Sequence, residues 1–281
     1  MDLLINDKKL KTRIVITSSG KFRKSSLRDI IKYRPLLLNL IVRDVKARYK
    51  QTLVGGFWAV IQPFLLMVVF TVVFNKFAKI QSNGIPYPVF SYSGLLIWLY
   101  FTGSITKASS SFVRNSVLVS KVYVPRIIIP LAATLTNFVD YAIAFTILAG
   151  LMLFYGIHFT AGLLLLPFIL MLTWMLTFGM SLWFSAINVK YRDIGHIVPI
   201  FTRVLMFLTP VIYPTSMAGK YKWALYLNPM SGIIDAHRAL ILGTGDINTG
   251  SLAMSVLLTA VIFVSGIMYF NATERTFADI V

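Results

Sequence analysis

Cysteine is absent from this sequence, and acids are scarce: ten Asp and Glu stand against 27 Lys and Arg in 281 residues. The first absence excludes a disulfide framework and thiolate chemistry. Charged residues of all kinds make up 13%, about half of what a soluble domain carries. No G-x-x-x-x-G-K-[ST] occurs, so the loop that cradles nucleotide phosphates is missing. The glycine-rich "GTGDINTG" (243–250) lacks the Lys and reads as an ordinary loop. No HExxH or Cys/His spacing occurs, and His158, His196 and His237 are scattered, so no metal site is expected. The opening "MDLLINDKKLKTRIVITSSG" lacks the apolar stretch of about 7–15 residues that a signal peptide carries. The first hydrophobic span is therefore expected to act as the targeting signal.

What is present is apolar. Hydrophobic residues make up 57% of the chain, and the mean hydropathy is +0.75. A bilayer core takes about 20 apolar residues as helix. Six blocks meet or approach that length: 53–74, 89–106, 127–154, 162–187, 197–213 and 251–270. The fifth is the weakest, being short and holding Pro199, Arg203 and Pro210. The fold class expected is an all-α integral membrane protein with six transmembrane helices. The net charge of +17 raises the question of nucleic acid, but its distribution argues against it: 14 of the 27 basic residues lie in residues 1–50, ahead of the apolar blocks. Segments 1–52, 107–126, 188–196 and the C-terminal tail together hold 21 Lys and Arg, and the alternate segments 75–88, 155–161 and 214–250 hold five. The positive-inside rule then puts both termini in the cytosol.

The basic N-terminal region has its own periodicity. Pro35 suits a first helical position. From there Leu38, Ile41, Val42, Val45 and Tyr49 share one helical face, while Arg43, Lys46 and Lys50 share the other. This describes an interfacial amphipathic helix over 34–52, following a cytosolic extension over 1–33. It serves as a lipid anchor or as a docking surface for a cytosolic partner. In the second case Arg43, Lys46, Arg48 and Tyr49 are its contacts. The six-span unit runs over 53–270, and a cytosolic tail over 271–281. Part of the extension, "RIVITSSG" (13–20), has strand character.

At "YRPLLLNLIVRDVKARYKQTLVGGFWAVIQP" (33–63) the sequence resembles permeases of ABC transporters that export O-antigen, capsule or teichoic acid. Three later stretches agree with that family in order and spacing: "LVSKVYVPRIIIPLAA" (118–133), "NVKYRDIGHIVPIFTRVLMFLTPVIYP" (188–214) and "NPMSGIIDAHRALILG" (228–243). The resemblance implies a homodimer of six-span subunits joined by two copies of a cytosolic ABC ATPase subunit, which binds the ATP and Mg. It also implies short re-entrant gate helices on the outer side. The substrate implied is a lipid-linked polysaccharide, and the location a bacterial inner or plasma membrane. A permease for a small hydrophobic drug shares this architecture and is the alternative. Without a phosphate loop the chain is not an enzyme, and no cofactor is expected on it.

Within that frame the loop 107–126 contains Arg114, Val117 and Leu118, which suit a short helix; by resemblance this is the element that couples to the ATPase, the alternative being a solvated loop. In the family the first and fifth spans line the channel. Phe57, Phe64, Phe201, Phe207 and Tyr213 crowd those spans here, either as lipid- or core-facing bulk or as stacking surfaces for sugar rings. Residues 214–250 are too long for a plain turn. Asn228 as N-cap and Pro229 at the first helical position begin a second helix there. Two short helices meeting at that break form a gate with Trp223 and Arg238, or a static plug. Inside the spans, Asp140 and Arg203 are the ionisable residues and are expected to pair, as a structural link or as part of the pathway. A single carboxylate in the spans gives little support to a proton- or sodium-driven carrier. No cluster of Asp, Glu or His at one leaflet suggests an intramembrane transferase.

Overall fold

The computed structural model describes residues 27–50, 58–121, 124–243, 247–274 and 277, and all regular structure among them is helical. Phe57, the strand-like stretch 13–20 and most of the C-terminal tail lie outside the described residues. Helices α1 (Leu27–Lys32) and α2 (Arg34–Lys50) lead to α3 (Trp58–Phe70), whose axis continues as a π-helix over Thr71–Phe77. Next come α4 (Tyr87–Ser109) and two short turns, α5 (Ser111–Arg114) and α6 (Ser116–Lys121). Then follow α7 (Ile128–Phe154) and α8 (Leu166–Lys190), the latter preceded by a 3-10 turn at Ala161–Leu165. Helix α9 (Ile194–Phe207) is followed by a 3-10 segment at Thr215–Tyr221, α10 (Lys222–Tyr226), α11 (Pro229–Leu242) and α12 (Thr249–Thr273).

Among the described residues, five helical segments are long and apolar enough to cross a membrane: Trp58–Phe77, Tyr87–Ser109, Ile128–Phe154, Ala161–Lys190 and Thr249–Thr273. The fifth sequence block behaves differently. Its helix α9 has 14 residues, about 21 Å at 1.5 Å per residue, against a hydrocarbon core of about 30 Å. Pro210 follows its end. Lacking an N–H, a proline there cannot carry the helix on.

Local chemistry sets the helix ends. Helix α7 stops at Gly156, which adopts φ +69°. Its N–H donates to the Leu153 carbonyl at 3.2 Å, and that of Ile157 to the Met152 carbonyl at 2.8 Å. Two carbonyls that the helix leaves open are thereby satisfied in a Schellman arrangement. Asn248 caps α12 by accepting from the Ser251 N–H at 3.0 Å, satisfying a donor of the first turn.

Helix α4 is the hub. It packs on α3, α7, α8, α9 and α11, and its Ser91, Ser93 and Ser104 are buried beside Leu95, Ile97 and Ile105. Protein rather than lipid surrounds it, so it tolerates hydroxyls that bond locally, as Ser93 does to the Phe90 carbonyl at 2.8 Å. Helices α8 and α12 are paired along much of their length.

Helix α2 lies against α7, with Leu40 buried on Ile128 and Ala132. The apolar face that periodicity groups together is thus divided. Leu38 and Val42 point away, 58% and 47% exposed, because Leu36, Leu37, Leu40 and Ile41 make the contact to the bundle instead. Leu38 and Val42, one turn apart, are left on the outer side. Residues near both ends of the described chain meet at one end of the bundle: Ile30 and Leu37 join Phe112, Ile127, Phe270 and Phe277.

Candidate functional site

Two constructions stand out, one at each end of the bundle. The first is a cavity of about 920 Å³ bounded by α2, α3, α4, α5, α7 and α9. Five cations reach its wall: Arg43, Arg48, Lys107, Arg114 and Arg203. Asp44 is the carboxylate among its lining residues. It accepts from the Arg43 guanidinium at 2.9 Å and lies 3.4 Å from Lys107 Nζ. Arg43 also donates to the Asn115 side-chain oxygen at 2.9 Å, tying α2 to the short turns after α4. Arg114 donates to the Lys107 backbone carbonyl. Burial lowers the Arg114 pKa from its ordinary value, with Asp44 opposing the effect. Arg114 stays charged all the same, because an arginine starts far above neutrality.

Arg48 forms an ion pair with Asp140 and donates to Asn137 at 2.8 Å. Tyr49 donates to the same Asp140, and burial pushes the Tyr49 phenol up. The expected pairing of Asp140 with Arg203 is therefore corrected: the partner of Asp140 comes from α2, and among the described residues Arg203 has no ion pair. The physical reason is that α2 lies along α7, which puts the last turn of α2 beside Asp140, whereas Arg203 on α9 faces the cavity.

The second construction is the joint after α9. Where the helix stops, backbone carbonyls lose their helical partners, a cost that cannot be left unmet away from water. Side chains meet it. Arg238, 5% exposed, donates to the Pro210 carbonyl at 3.2 Å and to the Val211 carbonyl at 3.0 Å. Tyr87 donates to the Ile212 carbonyl at 2.8 Å. Asn228 donates to the Leu208 carbonyl at 3.5 Å and to the Thr209 hydroxyl at 2.8 Å. The guanidinium carbon of Arg238 stands 3.7 Å from the Phe90 ring centroid, within cation–π range. Asp235 is 3.9 Å from Arg238 and accepts from Thr215. Next to it, His237 shares a 2.8 Å hydrogen bond with the Tyr141 hydroxyl.

The break at Asn228-Pro229 forms as its sequence indicates: the Asn228 side chain accepts from the Met230 N–H at 3.0 Å, and Pro229 opens α11. Trp223, on α10, is exposed. Of the aromatics assigned to a channel, Phe201 and Tyr213 line one apolar cavity of about 730 Å³ with Met217, Tyr221 and Asn228. Phe64 and Phe207 lie on exposed faces of α3 and α9. Among the residues assigned to coupling, Lys46 is exposed and Val117 is 65% exposed, whereas Leu118 packs into the bundle. The segment that carries Val117 and Leu118 is two turns broken at Asn115 rather than one helix.

Sequence reasoning assigned no role to Lys107, Asp44, Tyr87 or Phe90. Lys107 had a signal, a cation ending an otherwise uncharged span. Tyr87 and Phe90 had none, since their partners, the Ile212 carbonyl and Arg238, lie far along the chain.

The model of the family described as ABC-2 type transporter matches residues 35–242. The O-antigen export system permease protein RfbA of Myxococcus xanthus is 30% identical over 76% of this chain and 83% of its own length. A protein of the same name from Klebsiella pneumoniae is 27% identical over 87% and 94%. The polysialic acid transport protein KpsM of Escherichia coli is 22% identical over 84% and 92%. The matched region includes α2, the basic cavity and the joint held by Arg238, and on that extent the chain belongs to the ABC-2 type transporter family.

Proposed function

We propose that this chain is the membrane subunit of an exporter that moves lipid-linked polysaccharide out of the cytosol. Two copies form the pathway, and two copies of a separate cytosolic subunit hydrolyse ATP. The basic end of the bundle faces the cytosol of a bacterial cell, at its inner or plasma membrane. Helix α9 with the joint at its end acts as the sixth membrane element, and α10–α11 form short re-entrant gate helices at the outer face.

The observation that carries this reading is the wall shared by α3 and α9. On one side Gln62, Leu66, Pro199, Thr202 and Met206 line the basic cavity. On the other, Leu65, Val69, Ile200, Val204 and Phe207 are exposed. A second copy set against those faces would enclose a passage, with Phe64 and Phe201 available to stack on sugar rings. The relatives named for O-antigen export and polysialic acid transport support the glycan as cargo over a small drug.

Contact with the ATPase is assigned to α2 and the α5–α6 turns, where Val113 and Val117 are exposed. Placing Asp at both positions would bury charge against the partner while sparing the fold, since neither side chain is in the core. The expected outcome is a loss of about 2–5 kcal/mol in association, read as failed co-purification with the ATPase and loss of surface glycan, at an unchanged melting temperature of the permease. Normal co-purification together with normal surface glycan would contradict the assignment.

A further inference from the structure

We propose that the outer face carries a binding site for one anionic phospholipid, which sets its phosphate among a group of lysines and one acyl chain in the apolar groove beside α9. The proposal rests on the export reading only for the side of the membrane.

The charge distribution points to an anion. Segments 75–88, 155–161 and 214–250 carry five cations against two carboxylates, Asp235 and Asp246. Arg238 is buried at the joint, with Asp235 beside it. The other four, Lys76, Lys79, Lys220 and Lys222, are exposed, and among the described residues none of them forms an ion pair. Membrane proteins keep most of their cations on the cytosolic side, so these four stand against the trend. They are also gathered together. The two segments that carry them are tied by the Ser216 hydroxyl, which donates to the Asn83 side-chain oxygen at 3.4 Å.

The same two segments border the groove. Lys79 lines a polar pocket of about 440 Å³ with Asn75, Gln81, Ser82 and Asn83. Ile80 belongs both to that pocket and to the apolar cavity of about 730 Å³, so the polar and apolar spaces adjoin. On the opposite rim Lys220 Nζ stands 5.2 Å from the Tyr221 ring centroid, and Tyr221 lines the apolar cavity. The cavity is open, for Leu208, Met217 and Leu227 on its wall are all exposed. It reaches inward to Met180 of α8 and Ile262 of α12, 14 and 13 residues beyond Leu166 and Thr249. At 1.5 Å per residue that is about 20 Å, enough to follow an acyl chain through one leaflet of a hydrocarbon core about 30 Å thick.

The two parts together select the occupant. A free phosphate leaves the groove unused, and a plain hydrocarbon leaves the lysines unused. A sugar chain has no apolar length to place in the groove. A phospholipid of the outer leaflet presents a phosphate and an acyl chain at the depths where the lysines and the groove stand. A zwitterionic headgroup brings its own cation, so a net negative one is preferred beside lysines.

The test is photolabelling of the full chain, purified with its ATPase and placed in phosphatidylcholine vesicles. The vesicles hold a trace of phosphatidylglycerol bearing a diazirine on its acyl chain, and labelled peptides are mapped after illumination. Adducts are expected on groove peptides containing Ile80, residues 217–227 and Ile262. Labelling there should be at least about tenfold greater than with phosphatidylcholine bearing the same diazirine, since each lysine near an anionic headgroup is worth about fivefold. The double variant Lys79→Gln with Lys220→Gln should lose at least about tenfold of the groove label. Label on cytosolic peptides of the same sample should be unchanged, as should the melting temperature, both side chains being exposed. Ala218→Trp, which puts bulk into the groove, should lower the same label, and Lys190→Gln at the far end of α8 should not. Equal labelling by phosphatidylcholine, an unaltered groove label in the double variant or in Ala218→Trp, or an equal loss in Lys190→Gln overturns the proposal. Displacement of the label by glycerol phosphate as readily as by phosphatidylglycerol makes this a free-anion site, and readier displacement by polyprenyl phosphate makes it a site for a carrier lipid; either result also overturns it. Surface glycan in a deletion strain carrying the wild-type chain separates the two levels. Glycan restored without groove labelling removes the lipid site and leaves the export reading. Groove labelling without restored glycan removes the export reading and leaves the lipid site.

Discussion

Replacing Arg238 by Ala is expected to abolish export and to lower the stability of the permease by about 3–5 kcal/mol, the cost of breaking a buried charged network from one side. The side chain holds the Pro210 and Val211 carbonyls at 3.2 and 3.0 Å. Removing it strands both acceptors in a place that water does not reach, and it leaves Asp235 without its nearby cation. The turn after α9 then has to find other partners or rejoin a helix, and Pro210 forbids the second. Arg238→Lys is the informative companion. It keeps the charge over Phe90 but replaces a planar fork by a single point donor, so it can serve one carbonyl and not both. Thermal melting in detergent, with surface glycan measured in parallel, should rank the three proteins wild type, Lys, Ala. An alanine variant with wild-type melting and export would show that the turn is held by Tyr87 and Asn228 alone.

The second large effect is expected at the contact of α8 with α12. A Cβ on Gly266 would meet the Gly179 carbonyl oxygen at 2.4 Å, and a Cβ on Gly179 would meet Phe263 Cα at 2.7 Å. The obstructing atoms are backbone, so no rotamer change relieves the clash and the helices must separate. Small residues at such crossings let membrane helices approach closely, where packing, more than water, drives association. Gly266→Val and Gly179→Val should each cost about 3 kcal/mol, at the upper end of overpacking effects. Gly150→Val is the control. Nothing lies within 4 Å of a Cβ there, so this substitution should leave melting unchanged. If the three variants melt alike, the close crossing is not what holds α8 to α12.

Hydropathy made much of the bundle legible, because burial in lipid or protein imposes the same apolar requirement along a whole helix. The block at 127–154 matches Ile128–Phe154 within a residue. The Asn228-Pro229 break was legible for a different reason: N-capping depends on neighbours in the chain, so the signal is local. Legibility failed where the answer depends on which helices pack together. Asp140 was matched to Arg203 because both lie in apolar blocks, yet its partner is Arg48, supplied by a helix that hydropathy places outside the membrane. Leu40 escaped notice as the anchor of α2 because Leu36 to Val42 are nearly all apolar, so several faces fit equally. The end of α9 at Phe207 was also hidden: the residues after it are as apolar as those before, and the turn is stabilised by side chains from α4 and α11.

The chain has no phosphate loop, so the account makes it a conduit whose motor is another polypeptide. Reconstitution tests this most directly. The purified chain is placed in vesicles with lipid-linked polysaccharide in the outer leaflet, with or without the cytosolic ATPase added on the same side. Transfer of the glycan to the lumen is followed by its protection from an external glycosidase. Protection is predicted only when chain, ATPase and hydrolysable ATP are all present. Equal protection with the chain alone, or with a non-hydrolysable ATP analogue, would contradict the account.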